Sequence, residues 1–225
     1  MKLKSIDIGQ REIFFFKQPA AGSVRVFNFL KTFIHFLNVG GKKGQYKFAT
    51  ANEENTLHKH LNIQQNIFLE CQGNKLHSYS KENFEDYIKK IDNHYLGKLI
   101  KRVYPLERLP YQLNHEERKI SVLVKALLSP ASFLFFNNPE LNLNDGNLLI
   151  FKQSLLFESF YGNKIIFLTS PDESLWSELA TKIVTMKDNG EFEIVKNNQK
   201  GTDVLKISQN QEWKENRATI DKKVS

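Results

Sequence analysis

Two adjacent carboxylates, Glu116 and Glu117, three histidines, His58, His60 and His115, and a single thiol, Cys71, are the groupings whose types first suggest chemistry. A carboxylate pair can supply a general acid and a general base when its members titrate apart. Adjacent glutamates at a helix start more commonly serve the cap and the macrodipole, and Asn114 just before them suits a helix start. The H-x-H spacing of His58 and His60 has no carboxylate at a ligand spacing beside it, so no metal site is expected. One cysteine excludes a disulfide within the chain and a thiolate-only metal site, and Cys71 in the apolar run IFLEC reads as a small core residue. The sequence contains no GxxxxGK[ST], HExxH, GxSxG or CxxC. No catalytic residue is expected on these grounds.

The elements that would position such groups are legible as apolar runs. EIFFFK (12–17), FLFFN (133–137) and KIIFLT (164–169) read as continuous apolar strands, the pattern of a parallel sheet covered on both faces. A turn at Pro19–Gly22 is followed by an apolar helix over about Val24 to Leu37, whose FNFLKTFIHFL has the helical spacing of core packing. A short strand, QYKFAT, comes next. Residues 62–128 are mainly helical in period (NIQQNIFLE, ENFEDYIKKID, EERKISVLVKALL), with Ile120, Val124, Leu127 and Leu128 on one face. Ser80 near Asn83, and Asn114, are expected helix starts. NLLIFKQSLLFESF and SLWSELAT read as helices, and KIVTM and EFEIV as strands joined by a turn over Lys187–Gly190. The expected fold is α/β, a mainly parallel sheet flanked by helices.

At 225 residues, with 40% hydrophobic content and 18 Phe, the chain is long enough and apolar enough to bury a sizeable core. No run approaches the roughly 20 apolar residues that a bilayer crossing needs, and the first residues are too charged for a signal peptide, so a cytosolic protein is expected. The net charge of +7 permits contact with nucleic acid or an anionic membrane face, but the basic residues are scattered, as on a solvated surface.

Four segments, in order, resemble altered parts of one machine. In LPYQLNHEERKISVLVKALLSPASFLFFNNPELNLND (109–145), Leu113, Asn114, His115, Glu116 and Glu117 stand where an LSGGE signature would. Asn137 and Asn138 stand at a Walker B Asp-Glu pair, and Asn142, Leu143 and Asn144 stand at the NLD of a D-loop. In EIFFFKQPAAGSVRVFNFL (12–30), Gln18, Ala21 and Ser23 replace P-loop glycines, Gly22 is kept, and Val24 and Arg25 replace Lys and Ser. ATANEENTLHKHLNIQQNI places Glu53 at a Q-loop glutamine, and KIIFLTSPDESL places Ser170 at a switch histidine. The chain thus resembles the nucleotide-binding domains of ABC transporters, in their FtsE/LolD-like branch, over about residues 5–195. The family's opening strands have no room before Ser5, and the short gap from Phe48 to Glu53 leaves little of its antiparallel subdomain.

The resemblance implies a P-loop NTPase-like fold over 1–195, a helical subdomain at about 62–115 and a polar tail over 196–225. It also implies that the ATPase machinery is lost. A P-loop holds phosphate through converging backbone N–H groups and a Lys, and that Lys is here Val24. Arg25 stands where a hydroxyl would ligate Mg²⁺ and would repel the metal; a surface or salt-bridged Arg is the simpler reading, and filling the vacant phosphate pocket or binding an anion is the alternative. Asn137 gives Mg²⁺ no charge, Asn138 cannot act as a base, and Ser170 lacks an imidazole. Glu116 would face a triphosphate unfavourably. Single losses of this kind cost about 10²–10⁴-fold each. The implied function is a non-catalytic subunit at the inner face of the membrane, partnering an FtsX/LolC-like permease, an active ATPase subunit, or both, as a homo- or heterodimer of cassette subunits. No cofactor is expected beyond weak ATP binding. Phe84, Tyr87 and Tyr95 are candidates either for a groove receiving the permease or for buried packing. A divergent active half-site in a heterodimer and a basic nucleic-acid module on a borrowed fold are the alternatives.

Overall fold

The structure, a computed structural model, describes residues 11–17, 48–51, 57–71, 81–186 and 192–197. The expectations for Pro19–Gly22, the helix at about Val24 to Leu37, the turn over Lys187–Gly190 and the tail beyond residue 197 lie outside the described residues. The described strands are β1 (Ile13–Lys17), β2 (Phe48–Ala51), β3 (Phe133–Asn137), β4 (Ile165–Ser170), β5 (Lys182–Met186) and β6 (Phe192–Lys196). The described helices are α1 (Ile63–Cys71), α2 (Lys81–Lys89), α3 (His94–Lys101), α4 (His115–Leu128) and α5 (Asp145–Phe160).

The strands form one sheet in the order β2-β3-β4-β1-β5-β6. The pairs from β2 through β5 are parallel, and β6 returns antiparallel to β5. The unbroken apolar strands are buried on both faces, as their lack of alternation predicts. One face (Ile13, Phe15, Leu134, Phe136, Ile166, Leu168) joins the helices in the main core. The other is aromatic: Phe167 stacks on Phe14 at 5.0 Å and on Phe135 at 4.7 Å, and Phe48 stacks on Phe133 at 5.0 Å. Stacked rings at this spacing add to what burial alone contributes.

Helix α4 carries its predicted face into the core, with Ile120, Val124, Leu127 and Leu128 all buried. Asn114 caps it: its side chain accepts from the Glu117 N–H at 2.8 Å, and the Glu117 carboxylate accepts from the Asn114 N–H at 3.0 Å. Asn144 caps α5 with its side chain alone, accepting from the Asn147 N–H at 2.9 Å. The segment SLWSELAT departs from expectation, since residues 174–179 form successive turns and no helix. Its amides donate locally, Ser177 to Glu173 O and Ala180 to Trp176 O, but the Thr181 N–H is already committed to Ile13 O at the sheet. That long-range bond ends the run of local bonds at Ala180.

Candidate functional site

Two parallel strands, β3 and β4, end side by side, with Asn137 in register with Thr169. The Thr169 hydroxyl donates to Asn137 Oδ1 at 2.6 Å, and the Asn138 N–H donates to the Thr169 carbonyl at 2.8 Å. From α4, Lys119 Nζ donates to the Asn138 carbonyl at 2.8 Å. Asn138 sits at φ 44° and Asn142 at φ 65°. That left-handed region penalises most side chains and is tolerated best, glycine apart, by Asn and Asp. The chain therefore leaves β3 through two left-handed asparagines.

The turn they frame carries Glu140. Its Oε1 accepts from the Ser170 hydroxyl at 2.5 Å and its Oε2 accepts from the Trp176 indole N–H at 3.1 Å. Ser170 and Trp176 are both fully buried, and Trp176 meets Phe151 of α5 edge-on. Lys152 lies over the indole, 5.3 Å from its centroid. Burial pulls the Lys152 pKa down, against the upward pull of Glu178, Asp172 and Glu140. Asp172 accepts from the Ser174 hydroxyl, which holds its carboxyl below the usual range. At the edge of this region Lys17 of β1 pairs with Glu173 at 2.6 Å.

A second group gathers at the start of α4. Leu113 is buried, while Asn114 and His115 are exposed. Glu116 Oε1 accepts from the Asn144 N–H at 2.7 Å and from Asn147 Nδ2 at 2.9 Å, tying the first turn of α4 to the first turn of α5. Those bonds, the backbone one first, lower the Glu116 pKa. Arg108 grips Glu117 with two nitrogens, at 2.9 and 3.2 Å, and this contact is the main cause of its lowered pKa, followed by the Asn114 N–H. The adjacent carboxylates thus turn away from each other into separate contacts, as cap and tie.

Asn137, Asn138 and Ser170 are brought together, and Leu113 to Glu117 form a neighbouring group. Gln18, Ala21, Gly22, Ser23, Val24, Arg25 and Glu53 lie outside the described residues. His58 and His60 are exposed, and among the described residues no cluster of three metal-binding side chains exists. Phe84 belongs to the core, and Tyr87 is half-buried with its hydroxyl donating to Leu128 O, so burial is the better reading for both. Tyr95 remains half-exposed, its ring under Lys98. Sequence reasoning passes over Glu140, Lys119 and Trp176. A lone Glu two residues beyond the Asn pair is its one signal, and a Trp in a polar segment is the other.

The sheet with its flanking helices superposes on solved structures of ATP-binding cassettes. The dimeric cassette MJ0796, in a post-hydrolysis state bound to ADP and Pi, superposes with a TM-score of 0.64 at 13% identity, covering 86% of this chain and 88% of that one. The chain has the fold of an ABC transporter ATP-binding cassette. The ATP-binding subunit of another ABC transporter superposes at a TM-score of 0.62 and 14% identity, covering 83% and 79%. An inward-facing ABC transporter described as metal-chelate type gives 0.59 at 13%, covering 89% and 79%. No family model and no curated protein matches the sequence. In the cassette fold the ends of β3 and β4 lie at the C-terminal edge of the sheet, where open α/β sheets bind their ligands. Among the described residues no helix is long and apolar enough to cross a membrane.

Proposed function

We propose that this chain is a non-catalytic subunit of an ABC-type assembly, a structural or regulatory partner of an integral membrane permease, of an active ATPase subunit, or of both, working at the inner face of the membrane. The observation that carries the reading is at the ends of β3 and β4. The side chains there are Asn137, Asn138, Thr169 and Ser170, none of which is ionised near neutral pH. A magnesium-dependent phosphoryl transfer needs an anionic ligand for the metal and a group that orients or deprotonates water. Glu140 is the nearest carboxylate along the turn, but both its oxygens already accept from Ser170 and Trp176. With Val24 and Arg25 in the P-loop-like segment, neither the metal nor the γ-phosphate has its usual partner. The cassette fold, and the dimeric and transporter settings of the structures it resembles, support a partner of this kind.

The test is titration of the purified chain with a fluorescent ATP analogue and Mg²⁺, with Arg25→Ala alongside. No binding tighter than millimolar is expected; micromolar binding would count heavily against the reading, and phosphate release above background in a hydrolysis assay with the permease or an active partner would overturn it. If Arg25 fills the phosphate pocket, R25A gains affinity.

A further inference from the structure

Glu140 is the only acidic residue between β3 and the start of α5, and it holds the end of β4 and the turns just beyond it to one point. Ser170 ends β4, Trp176 lies in the turns beyond it, and each sends a donor to a different oxygen of the same carboxylate, at 2.5 and 3.1 Å. Both donors are withdrawn from water, at 1% and 0% exposure; the indole N–H donates to Glu140, and the Ser170 hydroxyl has Glu140 at 2.5 Å against a long second contact to the Asp172 carbonyl at 3.4 Å. A buried donor left without an acceptor costs more than its hydrogen bond contributes, and bonds to an ionised acceptor are the stronger kind. Ser170 Oγ also accepts from the Asp172 N–H at 3.0 Å, so the same hydroxyl sets the start of the turns.

We propose that Glu140 is a built-in anion: its carboxylate fills a two-donor anion site formed by Ser170 and Trp176, and so fastens residues 170–179 to the end of the sheet with no ligand bound. This deepens the non-catalytic reading, on which it rests, by naming what takes the place of a ligand at that edge. The site is one for a small carboxylate, and it becomes available to an external one when the side chain is removed.

Trp176 is one of two tryptophans, so Trp213→Phe makes it the only indole reporter in the full-length chain. In that background Glu140→Ala is expected to lower Tm by about 5 °C and to shift Trp176 emission to longer wavelength. Sodium formate, against sodium chloride at equal ionic strength, is expected to return at least half of the lost Tm and to reverse the emission shift. The parent shows no such response, and Ser170→Ala combined with E140A weakens it. A Tm and emission in E140A equal to the parent's overturn the proposal, as does a formate effect no larger than the parent's. If E140A does not fold, Glu140→Gln carries the test, since it keeps the shape and loses the charge. An unchanged Trp176 emission and Tm in E140Q overturn the proposal. Mg-ATP hydrolysis by the wild-type chain would defeat the non-catalytic reading while leaving the formate result to stand or fall by itself.

Discussion

At residue scale the two glutamates that open α4 show how charge is used without catalysis. Arg108 and Glu117 are only 23% and 21% exposed in their side chains, so their two-pronged contact is screened less than a surface pair. Its effect on the carboxyl is a lowered folded pKa. A depressed acid contributes stability that is fully present above its unfolded pKa of about 4.3 and is lost as pH falls through the folded value. Glu117→Gln is therefore expected to destabilise the chain at pH 7 by about 1–3 kcal/mol and by progressively less below pH ~4. Urea melts at a series of pH values measure this. A mutant penalty that is the same at pH 7 and at pH 3 would show that Arg108 exerts no linkage. Asn138 carries a different lesson. Its φ of 44° means that Asn138 answers a backbone demand.

At the scale of elements, α4 and α5 start beside one another, and Glu116 is their tie through the Asn144 N–H and Asn147 Nδ2. Glu116→Ala removes an acceptor from two donors at once. It is expected to cost about 1–2 kcal/mol and to speed amide exchange at Asn144 and in the first turn of α5, while the buried half of α4 stays protected. Hydrogen exchange resolved by segment would read this, and uniform loss of protection would refute a local tie. The strands and α4 are legible in the sequence because each is set by local pattern: unbroken apolar runs, a helical apolar face, an Asn-x-x-Glu cap. The alignment of Asn137, Asn138 and Ser170 on adjoining strand ends is legible only through the ABC resemblance. Glu140 with Trp176 was not legible at all, because their partnership spans 36 residues and is decided by how the turns pack. The misread helix at SLWSELAT has the same cause, since its last residue is claimed by a long-range bond to Ile13.

For the whole molecule, catalysis in a cassette fold is a property of parts that must be present together, because positioning and charge act on one phosphate. If this chain lacks several of them, returning one part restores nothing. The double variant Asn137→Asp, Asn138→Glu puts two carboxylates back at the end of β3. Phosphate release with Mg-ATP is nonetheless expected to stay at background, since Val24 and Arg25 still offer no Lys and no metal-binding hydroxyl. The same variant is also expected to melt lower. Glu at φ 44° gives up the tolerance of Asn for that region, a cost of about 1–2 kcal/mol. Measured hydrolysis above background would mean that the segment around Gly22 holds nucleotide after all, and that the end of β3 alone had silenced the chain. Background hydrolysis together with a lower Tm would place the chain where its residues point, with the asparagines kept for the shape of the turn and the chemistry absent from the whole site.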